Sequence, residues 1–168
     1  NFQKAAKATG LSQKIPFYQH TATELSVLAP QGPNGPEGVY GTANYFFYYP
    51  DTPENRAFVA DFKKAYNRNP RIGALYGYMT AQFIVAGYKK AGKIDSEKLI
   101  NALEGMTLDS PVGPLEIRKC DHQLLLPMYF GVTKRDPKYD FLIAGNIETT
   151  QGRDYVPSCQ EVLKLYKK

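Results

Sequence analysis

Apolar positions recur every three or four residues in some stretches of the chain and alternate with polar ones in others. The two periods divide it into helices and strands. Phe58, Phe62 and Tyr66, spaced by four, put one apolar face on a helix that Asn69-Pro70 stops. Its start is predicted at Asp51, whose side chain caps it, with Glu54 three residues on completing a capping box. A second helix runs from about Ile72 to Ala91. Leu75, Met79, Phe83 and Tyr88, with Ala81, Ala86 and Ala91, leave it apolar on most sides, so it is expected to be buried. Gly92 closes it. Asp95-Ser96 caps a third helix over Glu97–Leu103, which stops at Gly105.

Residues 1–9 read as a helix closed by Gly10. Ile15-Pro16-Phe17-Tyr18 is a short apolar run and predicts a buried strand, followed by the polar loop Gln19-His20-Thr21 and a helical stretch over Glu24–Leu28. Gln31 to Gly38, rich in Gly and Pro, predicts loop. Val39 to Tyr48 is rich in Tyr, Phe, Val and Thr and predicts a strand. From Met106 the period becomes two: Leu115 and Ile117 alternate with polar residues, and so do Met128, Phe130 and Val132. Phe141–Ala144 is a further apolar run. Ser158 with Glu161 forms another capping box, opening a helix with Val162, Leu163 and Tyr166 on one side. The mixture is α/β. Because the chain opens on a helix with no strand before it, it reads as though it begins mid-domain.

Composition narrows the function classes. No apolar run approaches the ~20 residues that would span a bilayer. No initiator Met, basic n-region or apolar h-region opens the chain, as expected of a mature or excised piece. Lys and Arg number 21 against 16 acidic residues, a net +5, but they are scattered rather than gathered in the stripe of a nucleic-acid binder. The 13 Tyr and 9 Phe, with no Trp, suit half-wet surfaces and clefts as well as ordinary packing. Cys120 and Cys159 are 39 positions apart, with no CxxC and no Cys/His cluster, so a structural zinc site is not expected. Two buried free thiols or one long-range disulfide both fit.

Catalytic patterns are missing. No GxxxxGK[ST], GxGxxG after a strand, or GxSxG occurs. His20 and His122 are the only histidines, and Asp121 and His122, adjacent on an expected strand, would point to opposite faces. The chain is therefore expected to be no enzyme and to hold no cofactor and no metal. What stands out is the loop after the first strand. In open α/β sheets ligands sit beyond the carboxyl ends of the strands. Tyr18, Gln19, His20 and Thr21 supply there one aromatic wall and three hydrogen-bonding side chains, a set suited to a small polar or zwitterionic ligand. An ordinary polar turn is the competing reading.

Several segments, in order, resemble the C-terminal half of the type 1 periplasmic solute-binding proteins of the branched-chain amino acid (Leu/Ile/Val) receptor family. They are Phe2-Gln3-Lys4-Ala5-Ala6-Lys7-Ala8-Thr9-Gly10-Leu11, Glu37-Gly38-Val39-Tyr40-Gly41-Thr42, and Phe58 through Pro70. Ala74-Leu75-Tyr76-Gly77-Tyr78, Ala86-Gly87, Ala91-Gly92 and Leu99–Gly105 follow, then Pro111-Val112-Gly113-Pro114-Leu115 and Asp121-His122-Gln123. The resemblance implies part of a two-lobed fold, Rossmann-like lobes joined by hinge strands, truncated at the N-terminus. Residues 1–48 would belong to the second lobe, 49–52 to a hinge, 53–134 to a segment covering the first lobe, 135–137 to a hinge, and 138–168 to the second lobe again. It also implies a non-enzymatic, exported receptor of an ABC importer, periplasmic or extracellular, which closes on a solute and delivers it to a membrane permease. The ligand implied is a branched-chain or related amino acid. Those receptors hold the ligand ammonium with an acid in the loop that here reads Tyr18-Gln19-His20-Thr21, and the nearest acid is Glu24. Amides, urea, and aromatic or aliphatic carboxylates are therefore competitors, and a ligand sensor on the same fold is the alternative role. An oxidising compartment favours a Cys120–Cys159 disulfide. A fragment of such a receptor would expose apolar helices and is expected to self-associate.

Overall fold

The computed structural model describes residues 2–165, and of Ser12 the backbone only. Contacts divide the chain into two compact units, residues 1–46 with 128–150 and residues 47–127 with 151–168. The fold is α/β, as expected.

The first unit opens with helices α1 (Phe2–Ala8), α2 (Leu11–Lys14) and α3 (Leu25–Leu28), the last running into a 3-10 turn over Ala29–Asn34. That turn occupies much of the stretch expected to be loop, with Gly32 at φ 61° accommodating a bend inside it. Three antiparallel strands follow in the spatial order β1 (Tyr40–Ala43), β4 (Met128–Lys134), β5 (Ile143–Thr150). β1 is shorter than the predicted strand because pairing to β4 ends at Ala43 opposite Tyr129. Tyr45, Phe46 and Phe47 are buried all the same. The run expected to be a buried strand at Ile15–Tyr18 is corrected: only Tyr18 pairs, in a parallel bridge to Tyr40, and Ile15 and Tyr18 are 57% and 54% exposed. With one neighbour and no second, the segment has no ladder to extend. The sheet's buried side carries Ala43, Tyr129 and Thr133, whose hydroxyl donates to the Pro36 carbonyl at 2.7 Å and accepts from Val39 N–H at 3.0 Å.

The second unit holds α4 (Pro53–Tyr66), α5 (Ile72–Ala91), α6 (Ser96–Leu103), the short hairpin β2 (Thr107–Leu108) and β3 (Leu115–Glu116), and the closing helices α7 (Gly152–Tyr155) and α8 (Cys159–Leu165). Thr52, not Asp51, caps α4, accepting from Asn55 N–H at 3.1 Å; Asp51 pairs with Arg56 instead. The helix ends at Asn67 in the left-handed region, ahead of Asn69-Pro70. α5 and α6 have the predicted bounds within a residue, with Asp95 capping α6. α5 is not buried all round. Leu75, Met79, Phe83 and Gly87 face the core, while Tyr76, Tyr78, Ile84 and Val85 are exposed. Asp121 and His122 lie in a turn, His122 at φ 58°, and not on a strand. The Ser158–Glu161 capping box forms as predicted. Val162 beyond it is buried and Leu163 is exposed, while Tyr166 lies outside the described residues.

β4 pairs along β1, which draws 128–134 into the first unit, and residues 151–165 pack with 47–127. Thr52 caps α4, and Arg135 donates to the Pro33 carbonyl and faces Glu37. What binds the tail is visible. Cys120 and Cys159 form a disulfide with Cα atoms 5.7 Å apart. Beside it the Arg118 guanidinium makes a two-pronged contact with Asp121 and donates to the Pro157 carbonyl at 2.6 Å.

Closing a chain loop of that length is worth about 4 kcal/mol in the unfolded-state entropy picture. A Cys120→Ser/Cys159→Ser protein is therefore expected to lose about 4 kcal/mol in denaturant unfolding, and a loss under about 1 kcal/mol would mean that other contacts hold the tail. The hydrogen bond from Arg118 keeps the Asp121 carboxyl below its ordinary range. A carboxyl with a lowered folded value contributes stability above its unfolded value and loses it as pH falls through the folded one. The deficit of Asp121→Asn should thus be full at pH 7 and shrink as pH falls below about 4, as unfolding followed across that range would show.

Candidate functional site

Two backbone hydrogen bonds lay the loop after α2 along β1: Gln19 N–H to the Tyr40 carbonyl at 2.9 Å, and Tyr40 N–H to the Phe17 carbonyl at 3.2 Å. This sets Tyr18 level with Tyr40. Two residues on, His20 comes level with Thr42. Thr42 in turn stands opposite Phe130 on β4, and Phe130 opposite Glu148 on β5. Residues directly opposite share a face of the sheet, and alternate residues along a strand share it too. One face therefore carries Tyr18, Tyr40, Thr42, Phe130 and Glu148. Tyr18 and Tyr40 are exposed there. Their rings lie nearly parallel to Phe130, with centroids 6.4 Å and 5.7 Å away.

At the edge of this aromatic surface three polar atoms converge. The Thr42 hydroxyl is 2.9 Å from the Tyr18 hydroxyl and 2.9 Å from His20 Nδ1, and those two are 3.4 Å from each other. Two of the four predicted residues, Tyr18 and His20, are thus brought together. The other two are not. Gln19 turns to the opposite side, where it lines a cavity of about 200 Å³ with Gln3 and Gln31, and its Oε1 is buried without a hydrogen bond. Thr21 is exposed at φ 64°, uncommon for a β-branched residue, and its hydroxyl joins no hydrogen bond. Glu24, the nearest acid in sequence, is buried and accepts from Ser26 N–H at 2.6 Å as the cap of α3.

Thr42, Tyr40, Phe130 and Glu148 are absent from the sequence prediction. The Tyr40-x-Thr42 alternation was available to place two of them on one face, but which strand lies opposite is a tertiary fact. Among the described residues no group of His, Cys, Asp and Glu has the geometry to hold a metal. A larger cavity of about 390 Å³ lies in the second unit, walled by Tyr76, Met79, Phe83, Ile84, Leu124 and Leu126. Of its lining groups, His122 contacts Glu104 at 3.1 Å. With few converging polar groups it lacks the means to orient a polar solute.

The pattern of the periplasmic binding proteins matches residues 1–138. The chain belongs to the periplasmic binding protein family. Among solved structures it is similar to an ABC-type branched-chain amino acid transporter from Rhodopseudomonas palustris, 27% identical with TM-score 0.75 over 92% of this chain and 42% of that one. It is equally similar to a solute-binding protein of an ABC transporter from R. palustris in complex with 4-hydroxybenzoate, 27% identical, TM-score 0.76, with the same coverage. A limonene hydroxylase from Geobacillus stearothermophilus is 30% identical over 107 residues, which is 62% of this chain but 19% of that protein. The chain thus spans about 42% of the length of these solved family members.

Gly41, between Tyr40 and Thr42, permits the close approach of the site loop. A Cβ there would stand 3.0 Å from Ala22 Cβ and 3.0 Å from the Thr23 nitrogen, the latter being backbone. Gly41→Val is expected to cost about 1–3 kcal/mol in denaturant unfolding, and a neutral result would show that the loop does not pack on β1.

Proposed function

We propose that this chain is part of a non-enzymatic solute-binding receptor of an ABC importer, acting outside the cytoplasm. In this reading the receptor captures a small carboxylate-bearing solute by lobe closure and passes it to a membrane permease. The residues 1–46 and 128–150 contribute to one lobe, and 47–127 and 151–168 to the other. The disulfide suits an oxidising compartment.

The observation that carries the reading is the convergence of Tyr18 Oη, His20 Nδ1 and Thr42 Oγ1 beside three exposed or half-buried rings. The cluster offers hydrogen-bond donors and an imidazole that can become cationic, while Glu24 is buried with one oxygen accepting from Ser26 N–H. A carboxylate on a planar or branched apolar body fits such a surface. The similar R. palustris protein in complex with 4-hydroxybenzoate supports this ligand class. A second reading, a branched-chain or related amino acid, is favoured by Glu148: register puts it opposite Phe130 on the same face, where it could meet an ammonium. The similar branched-chain amino acid transporter supports that one.

A thermal-shift panel of benzoate, 4-hydroxybenzoate, leucine, valine, acetamide and urea separates them. A ligand present at 100 times its Kd stabilises the native state by about 2.7 kcal/mol. The aromatic carboxylates are expected to raise the midpoint, with His20→Ala weakening them at least tenfold, about 1.4 kcal/mol. Shifts by leucine and valine alone, lost in Glu148→Gln, would transfer the assignment to amino acids. No shift with any compound would reject the carboxylate receptor.

A further inference from the structure

The Thr42 hydroxyl is the hub of the cluster: it lies 2.9 Å from both partners, whereas Tyr18 and His20 are 3.4 Å apart. A hydroxyl has one proton to donate and can accept others, so the two contacts cannot both be donations by Thr42. Two neutral arrangements satisfy the geometry with Thr42 as both donor and acceptor. In one, Tyr18 donates to Thr42, Thr42 donates to His20 Nδ1, and the imidazole proton sits on Nε2. In the other, His20 Nδ1–H donates to Thr42, Thr42 donates to the Tyr18 oxygen, and the Tyr18 proton is released to point outward. Neither arrangement presents both Tyr18 O–H and His20 Nε2–H as free donors. The imidazolium does. With both ring nitrogens protonated, Nδ1–H donates to Thr42, Thr42 donates to Tyr18, and Tyr18 O–H and Nε2–H are left together.

We propose that Thr42 is a positioning residue that couples binding of a carboxylate at this site to uptake of one proton by His20. The inference rests on the reading of the cluster as the ligand site. The proton comes from solvent and adds to the vacant imidazole nitrogen; the ligand stays a carboxylate, and the hydroxyl protons of Thr42 and Tyr18 only change direction. A bound anion favours the imidazolium, so binding draws in a proton and affinity falls as pH rises. The groups facing His20 fit this coupling. Tyr18 and Tyr40 bring phenol rings, Thr42 and Phe130 carry no ionisable group, and Glu148 on β5 shares the row beyond Phe130. Glu24, in the turn that follows, is directed to Ser26.

The test is isothermal titration of benzoate into the protein at pH 7.5 in phosphate and in Tris, buffers of very different ionisation enthalpy. About one proton taken up per benzoate bound is expected, with affinity falling about tenfold per pH unit between pH 7.5 and 8.5. Thr42→Val should weaken binding and abolish the uptake, Thr42→Ser should restore both, and His20→Gln should remove the pH slope. Benzoate binding with no proton uptake would overturn the coupling while leaving the receptor reading intact. If benzoate does not bind, the aromatic-carboxylate reading fails with it, and Thr42 is then judged in the free protein. The ¹⁵N shifts of the His20 ring should report a changed tautomer ratio in Thr42→Val, and unchanged shifts would overturn its positioning role.

Discussion

The candidate site depends on a pair of backbone hydrogen bonds that fix the loop after α2 against β1. Gln19 N–H and Tyr40 N–H each reach across to a carbonyl of the other segment. They place Tyr18 beside Tyr40 and, one pleat further, His20 beside Thr42. A slip of one residue would turn every one of these side chains to the other face, toward Ala22 and Thr23. The same constraint explains why Gln19 cannot join its neighbours. Alternation sends it to the far side, into the small cavity with Gln3 and Gln31. A loop that looks uniformly polar in the sequence is thus divided between two environments.

Local signals were legible where the chain decides locally. Asp95 as a cap, Gly92 as a left-handed helix end, and the Ser158–Glu161 box all involve partners within four residues, and all three form. The four-spaced aromatics of α4 likewise lie along one helix. One local choice went the other way, Thr52 and not Asp51 capping α4 while Asp51 pairs with Arg56. The other errors fall where a distant partner decides. Ile15–Tyr18 has the composition of a buried strand, yet only Tyr18 finds a neighbour. The alternation in 128–132 was visible, but not that this strand lies between β1 and β5, so Phe130 and Glu148 could not be assigned to the site.

The second unit shows a different balance. Its tail is held to the loop after β3 by a covalent bond and by Arg118, whose side chain serves Asp121 and the Pro157 carbonyl at once. Both partners of that ion pair are nearly inaccessible, at 8% and 7%, so each depends on the other to remain buried. α5 keeps Leu75, Met79 and Phe83 inside while Ile84 and Val85 face outward. A helix apolar on most sides therefore need not be buried on most sides.

The geometry of the sheet face offers one candidate surface, and contact mapping addresses it directly. Amide, methyl and aromatic NMR shifts would be followed as 4-hydroxybenzoate is titrated into the protein. Saturable changes centred on Tyr18, His20, Thr42 and Phe130 are the predicted result. Changes centred instead on the apolar cavity of Tyr76, Phe83 and Leu124, with the Thr42 cluster unmoved, would contradict it.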